Sequence, residues 1–146
     1  MRLFTRSLCA AALALGACND PSDPGKARVI GRIDPSNTGV PVIVAPDQVE
    51  VQARFAVVVN TLGIFGCSSP DGQDVSENGA LIRIVPYDIV AVPGHTEVCP
   101  AESIVHEHHV SVSLRSEGEA RLRVVGTSVA SRGDRLDSVE VALVVK

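Results

Sequence analysis

From Ala27 onward the chain alternates apolar and polar residues. Across residues 49–60, Val49, Val51, Ala53, Phe55, Val57 and Val59 fall on one face, with Glu50, Gln52 and Arg54 on the other. This period of two predicts a strand with one buried face, and the run Val57-Val58-Val59 predicts burial on both faces toward its end. Residues 104–114 repeat the pattern, Val110, Val112 and Leu114 facing in while Ser111, Ser113 and Arg115 face out. Ala120, Leu122 and Val124 alternate with Arg121 and Arg123, and Val139, Val141, Leu143 and Val145 share a face of the last strand. Shorter runs lie at residues 40–45, 80–85 and 89–92, and Ala27, Val29 and Ile33 mark a first strand. Turns are predicted at Asp34-Pro35-Ser36-Asn37 and at Ser116-Glu117-Gly118. No stretch keeps a helical period, so about seven strands predict an all-β sandwich with Greek-key connections.

Composition agrees: aromatic residues make up 3% of the chain and Trp is absent, so the core is expected to consist of β-branched aliphatic side chains. The N-terminus follows another pattern. Basic Arg2 and Arg6, an apolar run over residues 8–15 and small residues after it have the three parts of a secretory signal, too short for the roughly 20 residues of a membrane span. Leu15-Gly16-Ala17-Cys18 resembles the lipobox of bacterial lipoproteins. The resemblance implies cleavage before Cys18, a diacylglycerol thioether on its sulfur and acylation of the new N-terminus. It places the mature protein on a membrane of the bacterial envelope, facing the periplasm or the cell surface. Several acyl chains hold a protein far more firmly than one.

Three regions follow: a signal peptide over residues 1–17, the lipidated cysteine and a Pro/Gly-containing tether over 18–26, and the sandwich domain over 27–146. The eight tether residues from Asn19 to Lys26 reach at most about 25–29 Å. Loss of Arg2 and Arg6 leaves 11 basic residues against 17 acidic ones, a net charge of −6 with histidine neutral. That balance and the scattered arginines exclude a nucleic-acid binder. Removal of Cys9 with the signal and lipidation of Cys18 leave Cys67 and Cys99, which are expected to pair in an oxidising compartment. Thiolate metal sites usually show closely spaced cysteine pairs, and these two have no such neighbour.

The long valine-rich stretch over residues 49–60 and Glu117-Gly118-Glu119-Ala120-Arg121-Leu122-Arg123-Val124 resemble the immunoglobulin-like modules of bacterial surface proteins. The expected domain is therefore one immunoglobulin-like sandwich. Residues 68–79 read as a long polar loop, in which Asp71, Asp74 and Glu77 are oxygen donors of the type that binds calcium but fit no complete calcium-loop spacing. Tyr87-Asp88 reads as a strand end, Tyr87 packing and Asp88 starting a turn.

His106-Glu107-His108-His109 is the constellation with most chemical promise. On a strand, His106 and His108 share a face, the arrangement of a His-x-His metal pair, with His95 as a possible third imidazole for zinc, copper or nickel. The bland alternative is a pair of rings capping the rim of the core. The His-Glu-His start is similar to the copper-zinc superoxide dismutases, but no histidine follows His109 to supply their later ligands. A cupredoxin is excluded because the only Met is the initiator. Gly-x-Ser-x-Gly, Walker and His-Glu-x-x-His motifs are missing, and no cofactor is expected. The resulting expectation is a lipid-anchored, non-catalytic interaction or structural module whose loops at 60–79 and 93–103 meet a protein partner in the envelope. The alternative is a metal-binding envelope protein built on His106 and His108.

Overall fold

A computed structural model describes residues 25–146, apart from residues 37–38, 64–65, 93, 95–97 and 131–134. The signal peptide, Cys18, the tether as far as residue 24, and His95 lie outside the described residues. Among the described residues there is no helix, and the strands in chain order are β1 (Lys26–Ile30), β2 (Arg32–Ile33), β3 (Ile43–Val44), β4 (Gln48–Val49), β5 (Arg54–Gly63), β6 (Ser69–Asn78), β7 (Leu81–Ala91), β8 (Ile104–Ser113), β9 (Gly118–Ser128) and β10 (Leu136–Val145).

These strands build an all-β sandwich of two sheets. The smaller sheet has the order β3-β5-β8, and its β5–β8 pair is antiparallel from Arg54 opposite Ser113 to Gly63 opposite Ile104. The larger follows β1-β7-β9-β10-β4, with β6 added on β7 and β2 on β9. Period-two alternation on both sides supplies the core. Val57, Val59, Val110 and Val112 of the small sheet face Ile82, Ile84, Leu122, Val124, Leu143 and Val145 of the large one, all buried. Each such side chain contributes about 1.5–3 kcal/mol of burial free energy, and their β-branched shapes suit a pleated surface.

The structure corrects several element boundaries. The expected first strand through Ala27, Val29 and Ile33 divides at Gly31 into β1, which pairs with β7, and β2, which pairs with β9. Residues 49–60 do not form one strand: Val49 belongs to β4 and pairs in parallel with Val145 of β10, whereas β5 begins at Arg54. Between them Gln52 adopts φ 62°, and its N–H donates to the Leu114 carbonyl at 2.7 Å. Val49 and Val57 are both buried, but their strands lie in different sheets, so apolar alternation alone could not reveal the break. β5 then continues past Asn60 to Gly63.

The runs at 80–85 and 89–92 are one strand, β7, which passes straight through Pro86. Opposite it, β6 shifts register between Pro70 and Gln73, an irregularity of the sort that lets a sheet tolerate a residue without an N–H. Residues 68–79, expected as a loop, are largely the strand β6, which turns back into β7 through Gly79 at φ 60°. Almost every β6 residue is exposed, so neither face carries the apolar alternation by which a strand is read. Its carboxylates are taken up separately and not gathered around a common point: Asp71 accepts from Arg28 Nε at 2.7 Å, and Asp74 accepts from the Tyr87 hydroxyl at 2.9 Å. Arg28 also stacks on the Tyr87 ring, 3.7 Å from its centre.

Candidate functional site

At one end of the sandwich the inward-facing columns change from apolar to polar. On β5 the column Val57, Val59 continues to Thr61; on β8 Val112 and Val110 lead back to His108 and His106; on β7 Ile82, Ile84 and Pro86 lead to Asp88. Thr61, Asp88, His106 and His108 are all buried. The β5–β8 register sets Thr61 opposite His106 and Val59 opposite His108, while Asp88 reaches across from the other sheet.

Asp88 is the hub of this cluster. The Thr61 hydroxyl donates to its Oδ2 at 2.8 Å and lies 3.1 Å from Oδ1. His106 Nδ1 and His108 Nε2 both approach Oδ1, at 3.0 and 3.2 Å. Thr61 Oγ1 is also 3.1 Å from His108 Nε2, and Ser68 Oγ is 3.2 Å from His106 Nε2. Burial pushes the Asp88 carboxyl up, but hydrogen bonds from His108, Thr61 and His106 outweigh it, and its pKa falls below the ordinary value.

An ionised Asp88 fixes the proton positions by elimination, since a carboxylate only accepts. Thr61 donates to Oδ2, and the Nε2–H of His108 and the Nδ1–H of His106 donate to Oδ1. That leaves His106 Nε2 on the far side of the ring, facing the Ser68 hydroxyl. His108 Nδ1 is left buried without a hydrogen-bond partner among the described atoms.

Two glycines let backbone press against this cluster. A Cβ on Gly31 would stand 2.5 Å from Thr61 Cγ2 and 3.1 Å from Asp88 Oδ2. One on Gly63 would meet Ser68 Oγ and come within 2.9 Å of His106 Cε1. Cys67 and Cys99 form the expected disulfide, with Cα atoms 5.3 Å apart, and Gly66 N–H donates to the Pro100 carbonyl at 2.9 Å beside it. Ser68 follows Cys67 directly, so the bridge fixes the turn that carries the hydroxyl to His106.

His106 and His108 thus share a face, as alternation requires, while Glu107 and His109 point outward, 3.5 Å apart and 63% and 71% exposed. Each inward ring turns one nitrogen to the Asp88 carboxylate. Among the described residues no group of three or more His, Cys, Asp or Glu side chains is arranged to hold a metal ion. Asp88 does not start a turn; it lies within β7 and is buried, because β7 runs on through Pro86 and keeps Asp88 in phase with Ile82 and Ile84. Sequence reasoning missed Asp88, Thr61 and Ser68. Unbroken alternation through Pro86, and past Asn60, was the signal for the first two.

Comparison of the chain with known protein families, curated proteins and solved structures finds no match.

Proposed function

We propose that this protein is a lipid-anchored module of the bacterial cell envelope that presents a rigid β-sandwich to a protein partner close to the membrane. The carrying observation is Leu15-Gly16-Ala17-Cys18 at the end of a secretory signal pattern, with the first strand, β1, opening at Lys26. So short a tether keeps the sandwich within about 30 Å of its anchor. The disulfide supports an oxidising compartment, where such bonds persist.

The contact surface is the arm formed by β6 and the adjoining disulfide-tied segment. β6 projects polar side chains from both faces, and Val98 beside the bridge is 92% exposed. Surface segments held by a rigid scaffold are where proteins commonly place recognition.

Mass spectrometry and cell fractionation test the anchor. The mature N-terminus is expected to be a triacylated Cys18, and Cys18→Ser is expected to release the protein from the membrane fraction. Unchanged membrane retention of Cys18→Ser would refute the reading. A photo-crosslinking residue in place of Glu77 is expected to trap a partner that the same residue in place of Glu140, on the outer face of β10, does not.

A further inference from the structure

We propose that Ser68 is a nucleophile for acyl transfer, activated by His106 as general base, with Asp88 as the residue that positions the imidazole. This goes beyond the anchoring proposal and does not rest on it. His106 Nε2 faces the Ser68 hydroxyl at 3.2 Å, and the opposite ring nitrogen faces Asp88 at 3.0 Å. Such a relay is recognised by geometry and roles, whatever the order of its members in the chain. The relay requires Nδ1–H toward the carboxylate and a lone pair toward the hydroxyl, an arrangement that both distances allow.

Two further observations fit reactivity. Exposure decreases inward along the relay: Ser68 is half-buried, whereas the side chains of His106 and Asp88 are each only 4% exposed. The nucleophile lies at the solvent boundary and its base behind it. The members are also held independently, Asp88 by Thr61 and His108, His106 within the β5–β8 ladder, and Ser68 by the disulfide next door. Preorganisation of this kind is what an activated nucleophile needs.

The chemistry balances without a metal or a redox partner. Ser68 Oγ attacks the carbonyl carbon of an ester, and its proton passes to His106 Nε2. The bond to the leaving alcohol breaks, and that oxygen takes the proton from Nε2. Water then attacks the acyl-Ser68, delivers a proton to Nε2 and releases the carboxylic acid, and Ser68 recovers its proton. The imidazolium formed in each half is stabilised by Asp88. The buried carboxylate of Asp88 disfavours an anion behind the hydroxyl, so the substrate class is a neutral acyl ester.

The test uses the full lipidated chain in detergent, with a fluorophosphonate probe and p-nitrophenyl acetate. The expected result is a phosphonyl adduct located on Ser68 by peptide mass spectrometry, together with ester turnover. Both should vanish in Ser68→Ala at an unchanged melting temperature. His106→Gln should slow labelling a hundredfold or more, in the range of general-base contributions. Because Asp88 acts through His106, Asp88→Asn should move the pH profile of labelling to lower pH. A folded wild-type protein that forms no adduct at Ser68 overturns the proposal, whatever the variants do. A folded Asp88→Asn protein with an unmoved profile overturns the part given to Asp88.

Discussion

Asp88 of β7 and His106 of β8 meet between the two sheets, Oδ1 to Nδ1 at 3.0 Å, with both side chains buried. Their strands share no backbone ladder, since one belongs to the large sheet and the other to the small one. The contact is therefore directional where the rest of the interface is apolar and non-directional. Burial of a carboxylate is tolerated only when its acceptor positions are filled, and Thr61, His106 and His108 fill them together. A polar set of this kind specifies how the sheets align at that end, because any slip leaves a buried group unpaired.

Acid should weaken the protein through Asp88. Its folded-state pKa is depressed, so the stability it contributes is complete above the unfolded value near 4 and is lost as pH falls through the folded one. Asp88→Asn puts an amide NH2 among donors and should cost about 2–3 kcal/mol at pH 7. In urea titrations the gap between wild type and variant should narrow as pH drops below about 4. A gap that stays constant down to pH 3 would show that the carboxylate's charge is not the source.

Close backbone approach at Gly31 gives a second expectation. An alanine methyl there would stand 2.5 Å from Thr61 Cγ2 and 3.1 Å from Asp88 Oδ2, and neither neighbour can retreat without breaking the hub. Gly31→Ala should destabilise by about 1–3 kcal/mol, the usual cost of overpacking. Among the described residues nothing lies within 4 Å of a Cβ at Gly39, so Gly39→Ala should stay within about 0.5 kcal/mol. Equal melting temperatures for the two variants would contradict the packing described here.

Much of the fold is legible in the chain because burial is one-sided. Val110 and Val112 on β8, and Leu122 and Val124 on β9, face the core as their alternation predicts. β6 was not legible because both its faces meet solvent, which removes the pattern that marks a strand. β7 was divided at Pro86 because proline usually ends a central strand, and the division hid Asp88 by making it a turn residue. The histidines were legible as a same-face pair, but their partners come from β5 and β7. Those partners are distant in sequence, and no local spacing encodes such a meeting.

The disulfide supports both stability and the placement of Ser68. Its sequence separation of 32 corresponds in the chain-entropy model to roughly 3–4 kcal/mol. The Cys67→Ser, Cys99→Ser double variant should lose about that much in denaturant titrations. Its melting temperature should become insensitive to reductant, whereas wild type should fall toward it when reduced. A reductant-insensitive wild type would mean that the bridge is not formed in solution.

His108 and His109 are adjacent but should behave oppositely. His108 is buried, with its Nε2 bonded to Thr61 and Asp88, and truncation strands both partners, so His108→Ala should cost about 2–5 kcal/mol. His109 is 71% exposed, and His109→Ala should stay within about 0.5 kcal/mol. The same geometry bears on metal. His106 Nδ1 and His108 Nε2 converge on one oxygen of Asp88 and are occupied by it, so zinc, copper or nickel should leave the melting temperature unchanged. A metal-dependent rise that disappears in the His106→Ala, His108→Ala double variant would instead establish a metal site.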